Sequence, residues 1–445
     1  MGSEIARIEA SDRDTSRPVK SRRRAPRLLF LAYGFPPRNT IGCVRAYNIA
    51  KWLTRRGWEV TVVTPYESAW GYADGAMDLH AELSRQGIRC IRTGHRWRSL
   101  LPLPRERRTQ FATWIAGGLW RRAAASLGIE REAGWTRDAA RACAGLTPDD
   151  VDLILASGPP FVSFGLAKDI ANRLGRPYVL DYRDLWTANP HATRVVGQRM
   201  IDRERMVLAG SAAAIGVSTS LTHSLREQFG TQNILRVISN GFDPEELAQI
   251  PKQNFDHPAV VYTGTFYPPK RSVEPLMAAL QRVEQSGQNQ KPWAFHYYGY
   301  QGDYVRRVAE EHRVANRVVL HGNVPRREAL AAVRGANLAV VISSIYEHAS
   351  LQDKGIVTGK VFEAIGVGTP LLVIAPEGSD LDGVLSVTGL GKRFAGTQID
   401  AIATFLQETL QGDVPPASNP DPFSWINIVD RLDGVLREAI RGNRN

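Results

Sequence analysis

Cysteine is scarce in this chain: Cys43, Cys90 and Cys143 are the only three among 445 residues. So few and so scattered, they exclude a disulfide framework and a cysteine-rich zinc site, and they fit a reducing compartment. Long hydrophobic runs are missing as well. No uninterrupted apolar stretch of about 18 residues occurs, so no membrane-spanning helix is expected. The Arg cluster near the N-terminus is not followed by the apolar segment that a secretory signal needs. Neither GxGxxG nor GxxxxGK[ST] occurs, which removes the usual grounds for a dinucleotide or P-loop triphosphate site. No carboxylate pair stands out with the spacing of a two-carboxylate hydrolytic couple or of a metal site. The expectation is a soluble or peripheral cytoplasmic protein that needs neither metal nor cofactor.

Acidic residues are outnumbered, 45 against 56 Lys and Arg, for a formal net charge of +11. The excess is concentrated in "RPVKSRRRAPR" (17–27) and in residues 95–145, which carry ten Arg against four acidic residues. No recognition-helix, RNA-binding or zinc-finger pattern accompanies the charge, so nucleic acid is not expected as a partner. A basic surface for anionic lipid or for a phosphorylated substrate fits better.

What the chain has in quantity is alternation. Apolar, β-branched runs read as buried parallel strands at 27–34, 58–65, 88–94, 151–158, 177–184 and 212–218. After a break near 243–256, rich in Asp, Pro and polar residues, they restart at 259–266, 293–299, 317–324, 338–344 and 370–376. Amphipathic segments lie between most of them. In residues 44–57, Ala46, Ile49, Ala50 and Leu53 share one face and Gly57 ends the helix. A chain of 445 residues is too long for one ordinary core. The pattern predicts an α/β protein of two doubly wound, Rossmann-like domains with right-handed crossovers.

In such sheets ligands bind beyond the carboxyl ends of the strands, where helix N-termini attract anions. "FPPRNTIG" (35–42) follows the first strand there: Pro36 and Pro37 stiffen the loop and Gly42 lets a ligand approach the backbone. "YTGTFYPPKRSVEPL" leaves a strand at Gly264, crosses a second Pro-Pro pair and presents Lys270 and Arg271 before a helix, a plausible diphosphate clamp. "TGKVFEAIGVGTP" puts Gly359, Lys360 and Glu363 at the start of a short helix, where a carboxylate suits vicinal hydroxyls such as those of a ribose. Each has a plainer reading: a stiffened turn, a solvated charge pair, a carboxylate favoured by a helix dipole.

Taken in order, "FPPRNTIGCVRAYNIAKWL", "SGPP", "DYRDLW", "ISNGFD", "YTGTFYPPKR" and "GKVFEAIGVGTPLL" resemble the GT-B glycosyltransferases, and within them family 4, over residues 27–440. The resemblance implies two domains facing a cleft. A basic disordered tail (1–26) precedes an acceptor-side domain (27–245), joined by a returning C-terminal helix (421–441), and a donor-binding domain (257–420). It implies a retaining, metal-independent transfer from a nucleotide-sugar donor to a glycan or lipid-linked acceptor, in cell-surface polysaccharide or glycolipid biosynthesis. By resemblance Gly42 meets the donor phosphates, with Gly264 in the opposite loop. Lys270 and Arg271 neutralise the departing diphosphate, Glu363 holds the ribose beside Lys360, and Asn240 with Gly241 shapes the hinge.

This sequence departs from the pattern twice. Where many members have a Glu facing the donor sugar, it has Gly355, with Asp353 and Glu347 as substitutes from the same loop. Where many have a His after the fourth strand, it has Ser157, Gly158 and Pro159, which leaves Asp184 as the best remaining polar group near the reacting centre, or else as an ion-pair partner of Arg183 or a helix cap. Two other readings use the same scaffold. One is a nucleotide-sugar epimerase, which needs ionisable groups around the donor sugar. The other is a non-catalytic nucleotide- or glycan-binding relative. Finally, residues 95–145 interleave Trp97, Trp114 and Trp120 with Arg pairs such as Arg121 and Arg122. That mixture suits a lipid headgroup boundary and points to the inner face of the plasma membrane, or else to a core helix with solvated arginines.

Overall fold

The structure is a computed structural model that describes residues 24–37, 41–66, 79–94, 132–188, 196–230, 234–287, 292–346, 349–412 and 419–443. Trp97, Trp114, Trp120, Arg121, Arg122 and Glu347 lie outside the described residues.

Two parallel sheets organise the chain. The first contains β1 (Arg27–Ala32), β2 (Glu59–Pro65), β3 (Ile88–Thr93), β4 (Leu153–Gly158), β5 (Tyr178–Tyr182), β6 (Ala213–Gly216) and β7 (Ile234–Val237), in the order β3-β2-β1-β4-β5-β6-β7. The second contains β8 (Ala259–Thr263), β9 (Ala294–Tyr298), β10 (Val318–Gly322), β11 (Leu338–Ile342), β12 (Leu371–Ile374) and β13 (Gly391–Phe394), in the order β10-β9-β8-β11-β12-β13. The direction of winding reverses between β1 and β4 and again between β8 and β11. These are the places where a doubly wound sheet opens a crevice.

Continuous apolar runs become strands here because helices cover both faces of each sheet. In β1, Leu28 and Phe30 point into one core while Leu29 and Leu31 point into the other. In β8, Val260 and Tyr262 face one core, Ala259 and Val261 the opposite one. The helix Ile41–Arg55 buries Ala46, Ile49, Ala50 and Leu53, and Gly57, at φ +81°, leads the chain out of it. The same core receives the helix Trp425–Gly442 through Trp425, Ile428, Val429, Leu432 and Leu436. Each of those leucines stabilises the packing by about 2–5 kcal/mol relative to alanine.

Two strands are absent from the sequence reading. β7 ("ILRV") and β13 ("GKRF") are four-residue edge strands: β7 is too short and interrupted by Arg236, and β13 is polar and only half buried, so neither marks itself as a long apolar run. The polar break also contains the short helix Pro244–Ala248, capped by Asp243 through the Glu245 amide at 3.1 Å.

Direct bonds join the two halves. The Ser220 amide and hydroxyl both donate to Asp380, at 2.9 and 3.0 Å. The amide of Phe242 donates to the Phe423 carbonyl at 3.0 Å, and that of Trp425 to the Phe242 carbonyl at 2.9 Å.

Candidate functional site

A cleft of about 540 Å³ opens between the carboxyl ends of the two sheets. The loop after β5 brings Arg183 and Asp184 to one wall, and the helices that follow β1 and β6 bring Gly42 and Leu221. The loops after β8 and β11 bring Tyr267, Arg271, Gly355 and Lys360 to the other. Asn240, on the connecting segment, lines it as well.

The second wall is built to hold unpaired positive charge. Gly264 has φ +105°, a backbone conformation that favours glycine, and a Cβ there would collide with the Lys360 ammonium. Lys360 sits in the first turn of the helix Gly359–Val367, with its Nζ 5.0 Å from the Tyr262 ring centroid. Burial, reinforced by the neighbouring Arg271, pushes its pKa down to about 8, against a smaller opposing pull from Glu363. Arg271 is held by a reciprocal pair of backbone bonds with Tyr267, both 2.9 Å, and its buried Nε has no hydrogen-bond partner among the described residues. Two cations with no ion-paired acid among the described residues, one with an orphaned donor, make an electrostatic site for an anion.

Lys270 is placed differently from its neighbour. Its Nζ bonds the buried carboxylate of Asp353 at 2.5 Å and does not line the cleft. Asp353 also caps a short helix through the Ser350 amide and hydroxyl. Burial opposes ionisation of that carboxyl, but the bonds from Lys270 and Ser350 prevail and hold its pKa below the usual value.

Glu363 lies one compartment deeper, on a small cavity shared with Asn240 and Arg45. It accepts a bond from Arg326 at 2.7 Å, and Arg326 also pairs with Glu246 from the linker helix. Asn240 accepts from Arg45 at 3.2 Å. Thus Gly42, Asp184, Asn240, Arg271 and Lys360 meet at one cleft, Gly264 supports Lys360 from behind, and Lys270 and Glu363 are engaged in ion pairs beside it.

The two departures of the sequence acquire physical form here. Ser157 is buried and donates to Asp181 at 2.8 Å, so its hydroxyl serves the core of the first sheet. At Gly355 a Cβ would stand 3.0 Å from the Ser220 Cβ and 3.2 Å from the Ser218 hydroxyl, so a larger residue would press on the opposite wall. Arg45, Asp181 and Arg326 escaped the sequence reading, and Arg183 entered it only as an alternative ion-pair partner of Asp184. Asp181 and Arg183 lie inside the quoted "DYRD", but nothing in that string says which of its charges turns inward. Among the described residues no three His, Cys, Asp or Glu side chains gather to hold a metal ion. Nor, among those residues, is any helix long and apolar enough to cross a membrane.

Comparison with known proteins follows the same division. A family model described as a glycosyl transferase 4-like domain matches residues 43–241, and one described as glycosyl transferases group 1 matches residues 257–408. No match was found among curated protein sequences. Among solved structures, sucrose-phosphate synthase from Thermosynechococcus elongatus is 18% identical, with a TM-score of 0.53 over 95% of this chain and 98% of that one. Anabaena HepE in complex with UDP and glucose is 17% identical, with a TM-score of 0.50 over 92% and 99%. A putative UDP-N-acetylglucosamine 2-epimerase from Listeria monocytogenes is 13% identical, with a TM-score of 0.50 over 94% and 97%. These likenesses concern the fold, whereas the two family models together cover most of the sequence. The chain belongs to the GT-B glycosyltransferases, with a glycosyl transferase 4-like domain followed by a group 1 domain.

Proposed function

We propose that this enzyme transfers a sugar, with retention and without a metal, from a nucleotide-sugar donor to a glycan or lipid-linked acceptor, in the making of a surface polysaccharide or glycolipid. The observation that carries this reading is the pair of cations, Arg271 and Lys360, facing a cleft at the carboxyl ends of both sheets with no ion-paired acid among the described residues. A diphosphate leaving group gains most from fixed positive charge as its bond to the sugar breaks.

In the proposed reaction the bond from the sugar C1 to the diphosphate oxygen breaks, and a bond from C1 to the acceptor oxygen forms on the same face. The acceptor proton passes to the departing diphosphate. Arg271 and Lys360 stabilise the charge that develops, and Lys270 reinforces them when the diphosphate competes with Asp353. Glu363 takes the ribose hydroxyls in exchange for part of its bond to Arg326. Asp184 orients the acceptor on the first wall. Since Ser157 is committed to Asp181, positioning and charge stabilisation account for the rate.

An epimerase on this scaffold is the second reading, supported by the likeness to a putative 2-epimerase. Incubating a panel of nucleotide sugars with and without glycan and lipid-linked acceptors separates the two. Acceptor-dependent nucleotide release identifies a transferase. An acceptor-independent change in the sugar, with no transfer product, identifies an epimerase.

A further inference from the structure

Arg183 occupies a position that the donor reading leaves unused. It is the first residue after β5, and its backbone amide donates to the Gly158 carbonyl at 3.0 Å. The side chain adds a bond from Nε to the same carbonyl at 3.3 Å and one from Nη2 to the carbonyl of Pro159. Both carbonyls belong to "SGPP", so that motif acts as a bracket for the guanidinium. Nη1, by contrast, has no hydrogen-bond partner among the described residues and stands where a Cβ on Gly42 would be.

Gly42 is the second residue of the helix Ile41–Arg55, whose first turn contains no acidic residue. The guanidinium therefore lies against the N-terminus of a helix with no acidic residue in its first turn, and both favour an anion. Burial works against the charge on Arg183, while Asp181 and Asp184 oppose that effect. Three cations and one carboxylate, Arg183, Arg271, Lys360 and Asp184, line the cleft, leaving two positive charges in excess. That excess matches the doubly charged diphosphate of a nucleotide sugar.

We infer that Arg183, bracketed by Gly158 and Pro159 over Gly42, grips the donor's diphosphate from the first domain, opposite Arg271 and Lys360. The diphosphate then bridges the two walls, and binding it relieves the mutual repulsion of three cations in one cleft. This inference rests on the donor reading above. It explains why the first turn of the helix after β1 needs a glycine: any side chain at position 42 would displace the guanidinium.

Titration calorimetry with UDP, GDP and ADP, and with uridine, guanosine and adenosine, tests it. For the diphosphate that wild type binds, Arg183→Gln raises Kd about 10- to 100-fold, as expected for a lost charge-assisted contact. The affinity for the matching nucleoside stays unchanged, and Arg183→Lys falls in between. Gly42→Ala keeps the bracket but pushes Nη1 aside, so it reproduces the loss in a protein with a normal melting temperature. Unchanged diphosphate affinity in Arg183→Gln and Gly42→Ala, with a loss in Arg271→Gln, overturns the assignment and leaves the donor reading intact. A loss seen only with UDP-glucuronate, and not with UDP or UDP-glucose, places the anion on the sugar and also overturns it. If wild type binds none of the three diphosphates, the donor reading falls and this inference falls with it.

Discussion

Arg45 Nη2 donates to Asp181 Oδ1 over 2.7 Å, and both side chains are completely buried. The same guanidinium donates to the carbonyls of Ile238 and Ser239, each at 2.9 Å, and to Asn240 at 3.2 Å. Asp181 also accepts from Ser157. One ion pair thus ties the first helix, β4 and β5 to the segment that leads into the second domain. Removing one partner leaves a buried charge uncompensated, so Arg45→Ala and Asp181→Ala should each cost about 3–5 kcal/mol. Arg45→Met combined with Asp181→Leu should cost less than the two single losses added. Urea denaturation of the three variants measures this, and additive losses would show that the pair is not a unit.

The cations of the cleft should divide by their partners. Arg271→Ala and Lys360→Met should each lower kcat/KM for nucleotide release by roughly one to three decades, since a charge-assisted contact to a leaving diphosphate contributes about 1.5–4 kcal/mol. Lys270→Ala should lower it less, because Asp353 already compensates that ammonium. Wild-type kinetics in both Lys270→Ala and Arg271→Ala would remove the loop after β8 from the reaction.

Donor binding should weaken as pH rises through about 8, where Lys360 loses its proton. Folding stability should move the other way. Between about 8 and the ordinary lysine value of 10.5, the unfolded chain holds a proton that the native state has released, so stability rises with pH across that window. Calorimetric Kd for a nucleoside diphosphate and urea midpoints from pH 7 to 10 check both trends, and Lys360→Met should abolish both. A flat Kd in wild type would mean that the ammonium does not touch the ligand.

Glu363→Gln should weaken nucleotide binding about tenfold while lowering stability by no more than about 1 kcal/mol, because Arg326 keeps its bond to Glu246. Affinity and melting temperature measured on the same samples distinguish the roles. A large loss of stability with normal affinity assigns Glu363 to the hinge alone.

Replacing the arginine pairs of residues 95–145, Arg107 with Arg108 and Arg121 with Arg122, by Ser should abolish sedimentation with anionic liposomes at low salt, each engaged Arg contributing about 1 kcal/mol. Salt should have the same effect on the unmodified protein. If wild type does not sediment with anionic vesicles at low salt, the acceptor is not at a membrane surface.

Periodicity alone determined the two-sheet architecture, because buried parallel strands and amphipathic helices impose repeats that survive any tertiary detail. Eleven of the strands follow from such runs; β7 and β13, at sheet edges with one face in water, do not. Motif order determined the family. What the sequence left undecided was the pairing of charges. Lys270 and Arg271 are adjacent, yet one ends on Asp353, 83 residues away, and the other faces the cleft. Glu363 ends on Arg326, and Asp181 and Arg183, two residues apart, turn to the core and to the cleft. A side chain's partner depends on which elements the fold brings within a few ångströms, and on whether water or a carboxylate is there to meet it. Local sequence carries no record of either.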